Sequence, residues 1–248
     1  MSFIWGPVIP AQGLYEQSSV QRHMLGTPIW TLDGRKYVYA QAGGSNLTLA
    51  YLCLAPTTVA YHTNQAVAVA APAGSYSLSL TLGATAFTAA DYLDGWVNIN
   101  DAAGEGNVYR LRGGSYADTD ASGTLTCRVM EQIRTALTTD SEYSLIKNPY
   151  CKVVHSSTDE NLAVGITPIA VTALYFFWLQ VEGVAAVRAS DTSAISVLLN
   201  QDDTTAGVVA GITAGTLDPD VPFIGRVYPN TCVSGEHRTA VLNIHPGR

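Results

Sequence analysis

Residues 118–123, Asp118-Thr-Asp-Ala-Ser-Gly123, put side-chain oxygens at the first, third and fifth places of a loop and glycine at the sixth. That is the opening half of a calcium-binding loop. Such a loop closes on a bidentate acid, and the closing place here is Val129. Asp118, Asp120 and Ser122 are therefore candidate metal ligands, but a turn whose Asp and Ser oxygens satisfy backbone amides is the favoured reading. Residues 98–107, with three Asn, one Asp and one Glu between apolar runs, read as a glycine-bearing hairpin loop. Cys151 and His155 suggest a thiol–imidazole pair. On one strand they would lie about 13 Å apart, too far for proton transfer. His23, His62, His237 and His245 form no metal-binding repeat, and no nucleophile elbow, P-loop or dinucleotide fingerprint occurs. Glu131, Glu142, Asp159 and Glu160 could supply a glycosidase pair, but nothing orders them. The sequence thus offers no catalytic residue and implies no cofactor.

The elements that would position these groups read as strands. Residues 28–32 and 35–40 flank Asp33-Gly34, a two-residue hairpin signal. Residues 67–71, 76–82, 96–99, 108–112 and 124–129 are short apolar or alternating runs separated by Gly, Pro and Asp. Residues 162–166 and 173–181 follow, and Glu182-Gly183 is expected to turn the chain into a further strand over 184–188. Residues 208–212, 223–227 and 239–244 complete the set. A short helix is expected over 128–137, where Val129, Ile133 and Leu137 recur every four residues. The expected fold is all-β, mainly antiparallel, a sandwich or barrel with at most one short helix. Residues 1–29 are read as an irregular, extended arm. Pro7, Pro10 and Pro28 break regular structure there, yet Phe3, Ile4, Trp5, Val8, Ile9, Leu14 and Tyr15 are too apolar for a solvated tail. Those seven are the candidate interface residues. Packing on their own domain and reaching across a neighbour are both open. Residues 30–248 form the β-rich body, as one domain or as two subdomains divided near 141–159.

Charge narrows the role. Residues 37–90 contain no Asp, Glu, Lys or Arg across 54 positions, and charged residues are 13% of the chain, against about 25% in soluble domains. Such a stretch must be covered by the rest of the chain, by other subunits, or by both. The formal charge of −7 disfavours a nucleic-acid partner, which needs clustered Lys and Arg. A second uncharged run, 161–181, has the length of a membrane span, but Pro168 and its Val, Ile, Thr and Phe content fit two buried strands better, so no membrane partner is expected. Cys53, Cys127, Cys151 and Cys232 are widely spaced, no secretory leader is recognisable, and buried free thiols are expected.

Three segments carry a resemblance. Residues 84–112 (Ala84-Thr-Ala-Phe-Thr-Ala-Ala-Asp-Tyr-Leu-Asp-Gly-Trp-Val-Asn-Ile-Asn-Asp-Ala-Ala-Gly-Glu-Gly-Asn-Val-Tyr-Arg-Leu-Arg112), residues 175–187 (Tyr175-Phe-Phe-Trp-Leu-Gln-Val-Glu-Gly-Val-Ala-Ala-Val187) and residues 33–43 resemble virion structural proteins of tailed bacteriophages, most closely capsid decoration, or cement, proteins. The similarity runs loosely from Leu25 to the C-terminus through Gly-aromatic patterns. It implies a β-rich homotrimer on the outer capsid surface of the virion, assembled in the host cytoplasm, with the major capsid protein as partner. It brings no catalytic residue with it. A tail-associated or receptor-binding phage protein is the alternative; no repeat of fixed period supports a fibre.

Overall fold

Alternating apolar residues bounded by Gly, Pro and Asp make strands wherever each has a neighbour for its backbone N–H and C=O groups. The computed structural model of the chain describes residues 11–156, 162–192, 194–212, 223–228 and 233–244, and the backbone of residues 4–5. Among these are sixteen strands and one 3-10 turn, Ala89–Asp91. All strand pairs are antiparallel; only the isolated bridges Ala42–Val153 and Ala189–Val209 are parallel.

The chain forms two units. The first takes Met1–Pro56 and Pro149–Arg248, and the second is Thr57–Asn148. In chain order, the first unit opens with β1 (Ile4–Trp5), β2 (Pro28–Thr31), β3 (Lys36–Gln41) and β4 (Leu52–Leu54). The second unit follows with β5 (Gln65–Val69), β6 (Ser77–Thr81), β7 (Trp96–Asp101), β8 (Val108–Arg110), β9 (Thr124–Arg128) and β10 (Glu142–Ile146). The first unit resumes with β11 (Ala163–Ile166), β12 (Phe176–Arg188), β13 (Leu198–Gln201), β14 (Val209–Gly211), β15 (Gly225–Val227) and β16 (His237–Asn243).

In the first unit β12 is the central strand of a ten-stranded sheet. Its first half pairs with β3 from Phe176–Gln41 to Glu182–Lys36, and with β11 at Gln180–Ile166. Its second half pairs with β16 from Glu182–Asn243 to Arg188–His237. The expected turn at Glu182-Gly183 is therefore corrected: one strand continues through it. The register against β3 shifts by a bulge at Gln180–Glu182. Gly183 has φ +85°, and a Cβ there would stand 2.9 Å from Arg35 Cγ and 3.0 Å from Arg35 Cα. Glycine thus permits a bend where a turn was read, and the strand changes partner at the bend.

The Asp33-Gly34 hairpin forms, but as a three-residue loop. Gly34 N donates to Thr31 O (3.0 Å) and Thr31 N to Arg35 O (2.9 Å). Gly34 takes φ +84°, which makes a tight turn closed by a glycine bulge.

The second unit is one six-stranded sheet in the order β8-β7-β10-β5-β6-β9. It curls until its edge strands touch at a Leu111–Val129 bridge. One residue in two along each strand points inward. Val67, Leu78, Leu80, Val97, Ile99, Tyr109, Leu125, Cys127, Tyr143 and Leu145 are all buried in one cluster. The helix expected over 128–137 is absent. Val129 bridges Leu111 and Leu137 bridges Ala71, while Ile133 N donates to Ser75 O (2.8 Å). All three apolar residues are buried. A spacing of four suits a strand's period of two as well as a helix's 3.6, so the pattern alone was ambiguous.

Residues 11–27 are tied to the first unit through Gln12, which is buried. Its amide donates to Glu16 O (2.8 Å) and Phe176 O (3.0 Å) and accepts from Tyr39 Oη (2.8 Å). Its backbone carbonyl accepts from Trp178 Nε1 (3.1 Å). Leu14 is buried, and Tyr15 is exposed with its hydroxyl accepting from Arg35 (3.1 Å). Ile4 and Trp5 lie in β1, paired with Thr31 and Trp30. Phe3, Val8 and Ile9 lie outside the described residues. Replacing Gln12 by Ala would leave Tyr39 Oη without its acceptor and two carbonyls short of a donor. Gln12→Ala is expected to lower unfolding stability by about 2–3 kcal/mol in a urea titration. A loss under about 0.5 kcal/mol would mean that this segment is not part of the fold's stability.

Candidate functional site

A thiol does approach an imidazole, but it is Cys53 and not Cys151. Cys53 Sγ lies 3.8 Å from His155 Nδ1. β4 supplies the cysteine, and residues 153–154, bridged to Ala42 and Leu54, carry the histidine to it. The contact cannot activate the sulfur. His155 Nδ1 sits 2.8 Å from Leu52 O, so that nitrogen carries the proton and donates it to a carbonyl. His155 Nε2 accepts from Thr48 N (2.9 Å). Both nitrogens are committed, burial pushes the imidazole below its usual pKa, and burial holds the Cys53 thiol far above its own. Cys151 Sγ lies 3.8 Å from Gln41 Oε1. Cys127 is pushed up to about 12 by burial. Cys53, Cys127 and Cys151 are free and buried, and Cys232 lies outside the described residues.

The same pattern recurs in the second unit. His62 is buried with Nδ1 2.6 Å from Tyr92 Oη and Nε2 3.1 Å from Thr85 O. The carbonyl requires the proton on Nε2, so Nδ1 accepts from the tyrosine hydroxyl. His23 Nε2 accepts from Ala11 N (3.0 Å), and its ring lies 5.2 Å from those of Tyr39 and Trp178. Burial lowers the pKa of both imidazoles. Each of these three histidines, His23, His62 and His155, works as a neutral hydrogen-bonding spacer that satisfies loop amides or hydroxyls against a sheet.

The carboxylates follow suit. Asp118 Oδ1 accepts from Ala89 N (2.7 Å) at the start of the 3-10 turn. Ser122 takes φ +59° and donates its backbone N–H to Gly83 O (2.7 Å), while Asp120 O accepts from Gly123 N (3.0 Å). Residues 118–123 are thus a turn stitched to residues 83–89. Among the described residues no group of three or more His, Cys, Asp or Glu side chains is placed to hold a metal. Glu131 Oε2 accepts from Arg110 N (3.0 Å), Glu142 lies in β10, and Asp159 and Glu160 lie outside the described residues.

On the outer face of β5, β6 and β9, Ala66, Ser77, Thr81, Thr124 and Thr126 are exposed and Ser79 is half-buried. The register sets Ser79 opposite Thr126 and Thr81 opposite Thr124. Along this face the first charge is Arg128, at the end of β9. Val69, Tyr76 and Tyr61 add exposed apolar area in the same unit. The charge-free run 37–90 therefore splits. In the first unit it supplies five consecutive buried residues of β3, and in the second it supplies β5 and β6, buried on one side and uncharged on the other. Arg128 and Arg112, which meet across the sheet's seam, were not singled out by sequence. Each sits beside a buried residue, Cys127 or Leu111, but their pairing joins strands distant in the chain.

The neutral histidines make stability depend on pH. Their folded pKa values lie below the unfolded value of about 6.5, so the unfolded chain takes up protons first as pH falls. Stability present above about pH 6.5 is lost as pH drops through that value toward the folded pKa. The urea midpoint is expected to fall between about pH 7.5 and pH 5.5, with part of the decline removed in His62→Gln. Equal midpoints would mean these imidazoles are not held neutral. Chelation with EDTA is expected to leave the melting temperature unchanged, whereas a bound calcium at Asp118 and Asp120 would be revealed by a drop that added calcium restores.

No protein-family model, no curated protein and no solved structure matches the chain. The resemblance carried by residues 84–112, 175–187 and 33–43 stands on those residues alone.

Proposed function

We propose that the chain is a non-enzymatic structural protein of a tailed-phage virion, a homotrimer of sandwich- or barrel-like β-structure that decorates the outer capsid and bridges its subunits. The observation that carries this reading is the outer face of β5, β6 and β9, which bears no charge before Arg128 at the end of β9. A sheet face in contact with water normally carries Lys, Glu and Arg, which also deter edge and face association. Small hydroxyl and methyl side chains instead suit close packing with polar contacts across a subunit seam. The chemistry-capable side chains described above are engaged in holding loops to sheets, which leaves packing as the role the surface supports.

The mechanism is mechanical. A shell bears outward pressure from the packaged genome, and a subunit seated over a seam must lose its buried contacts before the seam opens. At about 25 cal/mol per Å² of apolar area, modest contacts repeated round a shell sum to a large resistance. Of the described arm residues, Tyr15, Val20 and Met24 are exposed and available to such a contact.

Light scattering of the purified chain is expected to give about three times the 26.3 kDa of one copy. Ser79→Arg with Thr126→Arg places two charges on the face, and is expected to dissociate the trimer without unfolding the second unit, read by circular dichroism. The same variant should lose co-sedimentation with phage heads. A chain that is monomeric at high concentration and leaves heads undecorated would overturn this reading.

A further inference from the structure

Where the curled sheet of the second unit meets itself, Arg112 N donates to Arg128 O (2.8 Å) and Met130 N to Arg110 O (2.8 Å), on either side of the Leu111–Val129 bridge. Leu111 and Val129 point inward and are buried, so Arg112 and Arg128 stand opposite each other on the outer face, both exposed. Like charges directly opposite in an antiparallel pair destabilise it. Among the described residues no Asp or Glu forms an ion pair with either. This occurs in a chain with an excess of acids, 20 against 13 bases.

The pair is also held in place. Ser115 Oγ donates to Arg112 O (2.5 Å) and accepts from Arg128 N (3.1 Å), which pins both backbones in register. Val129 N donates to Tyr76 O (2.9 Å), which fixes the tyrosine beside them. Arg112, Arg128, Tyr76, Val129 and Met130 line a depression of about 340 Å³. Tyr76 is 40% exposed and Met130 47%. A like-charged pair held in register beside an aromatic and an apolar side chain lacks only an anion.

We propose that this depression binds a ligand about the size of a monosaccharide, its carboxylate or phosphate taken by the Arg112–Arg128 pair and its ring lying on Tyr76 and Met130. Guanidinium forks match both oxyanions bidentately, and the volume is at the small end of ligand pockets. The proposal does not rest on the assembly reading, since the site is complete within one copy.

Isothermal titration of the full chain with glucuronate, glucose 6-phosphate, inorganic phosphate and glucose separates the contributions. The two anionic sugars are expected to bind, more weakly as salt is raised. Inorganic phosphate should bind less tightly than glucose 6-phosphate, and glucose should give no signal. Arg112→Gln and Arg128→Gln should each weaken the anionic sugars by about tenfold or more. Without ligand, each substitution should leave the melting temperature unchanged or raise it, because it removes the like-charge contact. Glucose binding as well as glucuronate, phosphate binding as tightly as glucose 6-phosphate, or a melting temperature lowered by either substitution with binding intact would each overturn the proposal.

Discussion

A stretch of strand buried on both faces can hold neither charges nor unpaired backbone groups, and the first half of β12 is such a stretch. Its residues from Phe176 to Val181 are all buried, and every one of its neighbours depends on it. β3 lies on one edge of its first half, β11 meets it at Gln180, and β16 takes its second half beyond Gly183. The two apolar clusters of the first unit both include its residues: Phe177 and Leu179 in one, Ala185 and Val187 in the other. Two-sided burial also accounts for much of the missing charge. β3, which pairs with β12, has five buried residues in a row, and β11 has four. A charge in any of these places would need a partner that the surrounding sheet does not supply.

The same economy governs the polar groups. The side chains of His62 and His155 bind backbone groups of neighbouring segments that have no ladder partner there. His62 joins residues 85 and 92, and His155 joins residues 48 and 52. A catalytic imidazole needs one nitrogen free for a substrate proton. In both places the two nitrogens already face protein partners, so the geometry that stabilises the loops removes the capacity for proton transfer.

Strands with local signals were legible in the sequence. Residues 76–82 and 124–129 alternate cleanly, and both are strands with their alternate residues buried. Elements defined by distant partners were not. β4 and β10 are held by strands far along the chain, β11 and β7, which no local pattern announces. The turn read at Glu182-Gly183 failed because glycine marks a backbone with positive φ, and a bulge uses that freedom as well as a turn does. At the candidate site, the pairing of Cys53 with His155 joins residues far apart in the chain, and so does that of Arg112 with Arg128. Spacing along the chain carries information about neighbours on one element, and these pairs sit on different ones.

The two units are strung unequally along the chain. Every strand pairing of the second lies within residues 57–148, so it can complete its sheet as soon as that segment has left the ribosome. The first cannot. β3 waits for β12 and β4 waits for β11, and both partners are translated only after the whole second unit. During that interval β3 is paired on one side by β2 alone, and its other edge offers uncharged, β-prone backbone to any chain nearby. Solubility during synthesis is then set by how quickly residues 163–188 arrive, rather than by the stability of the finished fold.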